Sequence, residues 1–441
     1  MQIHLCAVAV LFLLPGAIRS QTAATEYWEG SRGSAGKSQT LVLRVERSGD
    51  SSKASVDLPD FGALDIPAAE FSIVRARVHF ELIGDTSNAV FEGAIAADSI
   101  RGTWSEGGRS GEFQLRRGRD TRAGVRTEAV FFPSGDVRLA GTLLLPAAHD
   151  PAPAIVFVHG AGPETRNASR FLAEFFVRRG VAALIYDKRG AGASTGDWKH
   201  SSFDDLAADA VGAVNYLQTR REVDPLRIGL MGTSQGGWVA PMAALRSSNT
   251  RFVIVKSGAG VTPEEQELAR VEMQVRSDGN SAQDVKQALD LYRRMIAYAR
   301  TGHGWDELSM ALKAASQKSW YDFGTISKDW WFFDFMRLNF AYDPIPVFER
   351  LKAPLLIVLG GKDADVPVDV SLRPLISALS GAGSRSVIQV FPNAGHDLRV
   401  EPGKGEPWDF PRFAPGYLEL LASWVKLQTD PDSGVRSRSV E

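Results

Sequence analysis

Two rhythms of apolar and polar residues run along this chain. From about Thr25 to Arg117 the rhythm has period two. In "VRARVHFEL", Val74, Ala76, Val78, Phe80 and Leu82 alternate with Arg75, Arg77, His79 and Glu81. That pattern predicts one strand with a buried face and a wet face. "QTLVLRVERSGD" and "FELIGDTSN" end in turn signals, and "FEGAIAADSIRGTWSEGGRSGEFQLRR" reads as three short strands joined by Gly- and Asp-containing turns. Short strands at this spacing predict a small sandwich or barrel. His79 falls on the wet face with no second histidine nearby, as a surface residue does.

After a polar, Arg-rich linker at residues 118–127 the rhythm changes. "PAIVFVHGAG", "VAALIYDKRG", "LRIGLMGTSQGG", "RFVIVKSGAG", "PLLIVLGGKD" and "SVIQVFPNAGH" are continuous apolar runs of strand length, each closing on Gly, Asp or His. Continuous runs fit strands buried on both faces of a parallel sheet. Between them lie helical patterns. Phe203, Leu206, Ala207, Ala210, Val211, Val214 and Leu217 form one stripe, and Ser202 with Asp205 resembles a capping box. Strand–helix alternation predicts an α/β class domain, a doubly wound, mostly parallel sheet whose sites lie at the carboxyl ends of the strands. Residues 262–343 carry helical pattern and no strand. They form a helical insertion, expected to cap the site. Its aromatic run, Trp330, Trp331, Phe332, Phe333 and Phe335 with Met336, is expected to be mostly core, with one or two members lining a pocket.

The expected organisation is therefore a leader at 1–20, a β-rich domain at 21–120, an α/β domain at 121–430 and a disordered tail at 431–441. The leader rests on the apolar run Leu5–Leu14 followed by small and polar residues, cleavable after Ser20, although no Lys or Arg precedes the run. It predicts a secreted or periplasmic protein. Such a run is too short to span a bilayer comfortably, and no stable membrane span is expected in the mature chain.

Composition changes this picture only by exclusion. The net charge of −2 creates no field favouring nucleic acid. The single cysteine, Cys6, sits inside the leader, so a mature chain offers no disulfide, cysteine ligand or thiol nucleophile. No metal-ligand spacing stands out in the β-rich region, and neither a metal nor a cofactor is expected. Asn167-Ala168-Ser169 is a glycosylation triplet of a kind that arises often by chance.

The chemistry concentrates where the apolar runs end. In "GLMGTSQGGW", Ser234 stands between Gly232 and Gly236 after a strand and before a helix-compatible stretch. A serine hydroxyl needs a base to become a nucleophile, and must stand clear of the backbone. A sharp strand-to-helix elbow exposes it, provided the neighbouring positions carry no side chain. The base expected for it is His396 in "FPNAGHDL". The acid that orients the base is expected after "LLIVLG", where Asp363 comes first and Asp365 is the fallback. Two backbone amides are expected to hold the oxyanion, those of Gln235 and of Ala161 in "HGAGPETR". His159 precedes the serine and reads as a structural residue bonded within its own loop. Asp187 and Arg189, among Gly190, Gly192 and Gly196, read as a structural turn rather than a nucleotide fingerprint.

The motifs "HGAGP", "DKRGAGAS", "GTSQGG", "GGKDADVP" and "NAGHD", in this order over about residues 128–428, resemble the α/β-hydrolase superfamily. The nearest likeness is to bacterial secreted or periplasmic esterases of the serine-aminopeptidase-like group, which also carry a β-rich N-terminal domain. The resemblance implies hydrolysis through Ser234, Asp363 and His396, an oxyanion hole at Ala161 and Gln235, and no cofactor. The reading that follows is a carboxylesterase acting on a small-molecule ester with a short acyl group. Peptide cleavage is the second reading. It would need acidic residues reading an amino terminus, and Glu264 and Glu265 are available, although adjacent glutamates at a helix start also match its dipole. A non-catalytic binding protein is the third.

Overall fold

This computed structural model describes residues 24–34, 37–48, 51–83, 87–119, 125–148, 150–380, 385–404 and 411–430. The leader at 1–20 with Cys6, part of the linker and the tail at 431–441 lie outside them. Two compact units result, divided at Asp57/Leu58, Asp65/Ile66 and Asp120/Thr121, with the short Leu58–Asp65 segment counted in the second. Among the described residues no helix is long and apolar enough to cross a membrane.

The N-terminal unit is built on one antiparallel sheet, one strand of which begins within the Leu58–Asp65 segment counted in the second unit. Its strands are β1 (Ala24–Ser34), β2 (Lys37–Ser48), β3 (Ser51–Leu58), β4 (Ala63–Pro67), β5 (Ala69–Val74), β6 (Arg77–Leu82), β7 (Ala89–Ala96), β8 (Ser99–Glu106) and β9 (Arg109–Arg117). The order is β4-β3-β2-β1-β9-β8-β7-β6-β5. The two outermost strands, β4 and β5, are joined through Ala68 alone, so the sheet must curl until its edges come together. The inner face holds Trp28, Leu43, Phe80, Phe91 and Phe113, with the Phe80 and Phe91 rings stacked at 4.5 Å.

One strand reading needs correction. "VRARVHFEL" is not a single strand but the junction of β5 and β6, with Arg75 and Ala76 both at positive φ, 47° and 63°. The two-residue turn pairs Ile73 with Val78 and Val74 with Arg77, so Val74 shares the wet face of Arg77, His79 and Glu81, and the alternation in the sequence does not follow one face through the bend. Val78, Phe80 and Leu82 are buried, whereas Val74 is 63% exposed. His79 places Nδ1 2.6 Å from Glu92 Oε1 across the β6–β7 pair.

The second unit has an eight-stranded sheet: β10 (Arg126–Ser134), β11 (Val137–Leu145), β12 (Ala152–Val158), β13 (Ala182–Tyr186), β14 (Val223–Thr233), β15 (Thr250–Lys256), β16 (Leu355–Gly360) and β17 (Ser386–Phe391). The order is β10-β11-β13-β12-β14-β15-β16-β17. The six strands from β12 onward are parallel and correspond to the six apolar runs. The β10–β11 hairpin, antiparallel at one edge, is an addition to that reading.

The helices are α1 (Arg170–Val177), α2 (Phe203–Gln218), α3 (Gly236–Arg246), α4 (Pro263–Ser277), α5 (Ala282–Thr301), α6 (Trp305–Ala315), α7 (Trp331–Asn339), α8 (Ile345–Arg350), α9 (Val368–Ser380) and α10 (Tyr417–Thr429). Along β12, Ala154, Val156 and Val158 pack with residues of α2, α3 and α9, while Ile155 and Phe157 pack with residues of α1 and α10. Both faces of the strand are dry, so its sequence shows no alternation. Helices α4 to α8 are inserted between β15 and β16, and α4 to α7 bury a core of their own around Tyr292, Met295, Phe333 and Met336. Capping boxes open α2 at Ser202/Asp205, α4 at Thr262/Glu265 and α5 at Ser281/Asp284.

Candidate active site

β14 ends at Thr233 and α3 begins at Gly236, so the chain turns within two residues. Ser234 sits in that turn at φ 53°, a left-handed conformation that a residue with a side chain adopts only when its surroundings force it. The Ser234 N–H donates to the Lys256 carbonyl at 2.9 Å, and the Ser234 carbonyl accepts from the Gly237 N–H at 2.7 Å. The flanking glycines answer a question of space. A Cβ on Gly232 would lie 1.9 Å from the Gly236 carbonyl oxygen, and one on Gly236 would lie 2.5 Å from that of Val158. Neither position admits a side chain while the elbow stands.

Asp363 follows β16 and His396 follows β17, at the same carboxyl edge of the sheet. His396 Nδ1 lies 2.8 Å from Asp363 Oδ2. Asp363 is 3% exposed, and its other oxygen accepts the N–H groups of Asp365 and Val366 at 2.9 and 2.8 Å. Both oxygens of this carboxylate are therefore used, and its orientation toward the imidazole is set by its own loop. Ser257, at φ 52°, donates its hydroxyl to the His396 carbonyl at 2.5 Å and holds the histidine loop from behind. Burial works against a charged His396, but the Asp363 hydrogen bond and charge outweigh it. With Asp365 adding its charge and Lys256 opposing, the imidazole pKa ends above its usual value.

Asp363, Asp365 and His396 also offer three potential metal-ligand atoms within 4.8 Å of one another. The donor set is a poor one for a cation. Asp363 has both oxygens in hydrogen bonds and His396 Nδ1 faces Asp363, which leaves the exposed Asp365 carboxylate and the other imidazole nitrogen, Nε2.

The loop after β12 carries Gly160 and Ala161. Glu164 Oε2 accepts the Gly160 N–H at 2.8 Å, and Lys188 Nζ donates to the Gly160 carbonyl at 2.7 Å. Lys188 Nζ also donates to Gln235 Oε1 at 2.7 Å. Burial lowers the Lys188 pKa to about 8, against the opposing charges of Glu164 and Asp209. Neither Lys188 nor Glu164 was singled out from the sequence. Their signal was only their place in "DKRG" and "GPET", right after strands whose loops were already suspected. His159 is packed edge-on against Tyr186, with ring centroids 4.7 Å apart, and its Nδ1 reaches Glu164 in its own loop at 3.5 Å. The turn at 187–196 is structural, as its pattern implied. Asp187 takes three hydrogen bonds from Arg166 and one from the Ala193 N–H, and Arg189 grips Asp209 through two bonds of 2.7 Å.

Gly160, Ala161, Ser234, Gln235 and His396 all line one cavity of about 620 Å³. Its far wall comes from the helical insertion: Trp330, Trp331, Phe332 and Phe335 of the aromatic run, with Phe323, Phe340 and Tyr292. Four of the six expected core residues thus face the cavity, more than the one or two anticipated. Phe333 and Met336, on the other side of α7, are buried in the insertion's own core, against which Trp330, Phe332 and Phe335 also pack. An ion pair, Arg270 with Glu267 at 2.9 Å, also lines the cavity, with the Tyr292 hydroxyl donating to the same glutamate oxygen at 3.1 Å.

A mostly parallel eight-stranded sheet, with a serine elbow after its central strand β14, defines an α/β-hydrolase. Residues 149–403, more than half of the chain, match the family described as serine aminopeptidase, S33, and the chain belongs to it. Esterase EstD of Thermotoga maritima is 24% identical over 279 residues, which cover 62% of this chain and 61% of the esterase. The chain thus spans under two thirds of that relative's length. Among solved structures, the Pyrococcus furiosus esterase Pf2001 is similar over 69% of this chain and 90% of its own, with 16% identity and a TM-score of 0.44. The Pyrococcus horikoshii acylaminoacyl peptidase is similar over 88% and 62%, with 17% identity and a TM-score of 0.45.

Proposed function

We propose that this chain is a serine carboxylesterase. Ser234 attacks the ester carbonyl while His396 takes its proton, and Asp363 keeps the imidazole in the tautomer that can accept it. The amides of Ala161 and Gln235 hold the oxyanion. His396 then protonates the departing alkoxide, and water repeats the sequence on the acyl-enzyme. The observation that carries this reading is the conjunction at one sheet edge: a serine held at positive φ, and a histidine bonded at 2.8 Å to a buried aspartate, opening on one cavity. A short acyl group beside Ser234 leaves most of the aromatic-walled volume to an apolar alcohol part. The cavity is of the size that binds small molecules.

The peptidase reading loses its expected amine site. Glu265 is taken by the Thr262 N–H and hydroxyl at 3.0 and 2.8 Å as the capping box of α4, and Glu264 is paired with Arg300. Neither is free to read an amino terminus.

The test is labelling of the purified protein with a fluorophosphonate, peptide mapping, and hydrolysis of nitrophenyl and naphthyl esters beside aminoacyl-nitroanilides. Label on Ser234 is expected, with ester turnover far above amide turnover. Ser234→Ala is expected to lower kcat by about 10⁴-fold or more with the fold intact. Ester turnover by that variant near the wild-type rate would remove Ser234 from the mechanism. Amide turnover exceeding ester turnover would move the assignment to peptide substrates.

A further inference from the structure

We infer that Lys188 is a positioning residue of this site, holding both oxyanion loops to one ammonium group so that the Ala161 and Gln235 amides face the same point. The inference rests on the esterase reading above. Its own observations are the two hydrogen bonds of 2.7 Å from one buried nitrogen, to the Gly160 carbonyl and to the Gln235 side chain.

The geometry follows from the peptide bond. The Gly160 carbonyl and the Ala161 N–H belong to one planar unit, and in a trans peptide the two bonds point in opposite directions. An ammonium fixed on the carbonyl oxygen therefore aims the Ala161 N–H away from itself. The neighbouring peptide is held as well, because Glu164 accepts the Gly160 N–H at 2.8 Å. Turning the Ala161 amide would break a charge-assisted bond in a site where Lys188 is only 3% exposed and little water can replace it. On the other loop, the same nitrogen anchors the side chain of Gln235, whose own backbone N–H is the second donor. Withdrawing electron density from the Gly160 carbonyl also makes the Ala161 N–H a stronger donor.

The lysine is placed for this task. Its own backbone N–H donates to the Glu164 carbonyl at 3.1 Å, so the β13 loop and the β12 loop are tied at two levels. The charged groups around it are Glu164 from the β12 loop and Asp209 from α2, the latter already gripped by Arg189. The Trp198 ring centroid lies 5.9 Å from the ammonium. Neither carboxylate is hydrogen-bonded to Nζ, and its two short bonds go to the oxyanion loops.

The experiment uses the full chain, with Lys188→Met and Gln235→Met. The second variant keeps its backbone amide and loses only its tether. Each is measured for kcat and KM on a nitrophenyl ester and for inhibition by an aryl trifluoromethyl ketone, which forms a tetrahedral adduct. Thermal unfolding is followed alongside. For Lys188→Met, kcat is expected to fall about 10²-fold, as for loss of one oxyanion donor, with KM changed less than about threefold. Affinity for the ketone is expected to weaken by a similar factor. Gln235→Met is expected to lose about tenfold, and the double variant little more than Lys188→Met, because the two share one tether. A kcat within about threefold of wild type overturns the proposal, as does a loss confined to KM with ketone affinity unchanged. If Lys188→Met does not fold, Gln235→Met decides by the same criteria. Fluorophosphonate labelling of wild-type Ser234 separates these failures from failure of the underlying reading. An unlabelled wild type removes both.

Discussion

At the scale of single residues, His396 determines when the site can work. As a general base it must be neutral, and its pKa is raised above the usual histidine value of about 6.5. Activity is therefore lost as pH falls through that raised value, and the acid limb of kcat/KM is expected to have its midpoint above about 6.5. The same shift has the opposite consequence for stability. The Asp363–imidazolium pair stabilises the fold at low pH, and this contribution fades as pH rises through the raised pKa. Asp365→Asn removes one of the charges that raise it without touching the Asp363 bond, so the limb is expected to move toward lower pH with the plateau rate largely kept. A pH–rate profile of wild type and variant checks both statements. A limb that stays in place would show that Asp365 does not act on the imidazole. The main candidate residues were legible in the sequence because each stands directly after an apolar run, where a parallel sheet gathers loops at one edge. Choosing Asp363 over Asp365 was a matter of order along the chain. In the structure the choice has a physical reason: the Asp363 carboxylate is buried and faces the imidazole, whereas that of Asp365 is exposed.

At the scale of elements, the informative part is the helical insertion. Its existence was readable from 82 residues without a strand pattern, but its inward and outward faces were not. The aromatic run is so continuous that no stripe stands out, and only the register of α7 sorts Phe333 and Met336 from Trp331, Phe332 and Phe335. The insertion is tied to the sheet layer by Asn339. This residue is 1% exposed, accepts the Phe203 N–H at 2.7 Å and donates to the Ser201 carbonyl at 3.2 Å. It therefore links the end of α7 to the first turn of α2. Asn339→Ala leaves a buried N–H and a buried carbonyl without partners, at an expected cost of about 1–3 kcal/mol. Urea unfolding is the measurement. Since the same substitution loosens α7, KM for bulky naphthyl esters is expected to rise more than KM for small ones. Equal KM values across both substrates would mean that α7 does not shape the occupied part of the cavity.

At the scale of the whole molecule, the two units each carry a core of their own, one on the inner face of the nine-stranded sheet and the others around the eight-stranded sheet and its insertion. Separate cores predict separate cooperativity, and calorimetry is expected to resolve at least two unfolding transitions. A phosphonylated Ser234 is expected to raise only the transition of the unit that contains it. A single transition shifted as a whole by the adduct would mean that the units unfold together.

The sequence alone determined the two rhythms, and with them the division between a period-two β region and a parallel α/β region. It also determined the order of the chemical residues, because local backbone rules act at short range. An elbow needs small neighbours, a helix start needs a cap, and a buried parallel strand needs an unbroken apolar run. What only the tertiary structure decided depends on groups far apart in the chain. The aromatic wall of the cavity and the meeting of Lys188 with Gly160 and Gln235 belong here, whereas the hairpins in "VRARVHFEL" and at β10–β11 turn on residues only three apart. Lys188 lies 28 residues from one partner and 47 from the other. No local pattern encodes such a contact, since the residues share no strand, helix or turn. It forms only when parallel strands bring their carboxyl ends to one edge and packing excludes the water that would otherwise satisfy the ammonium.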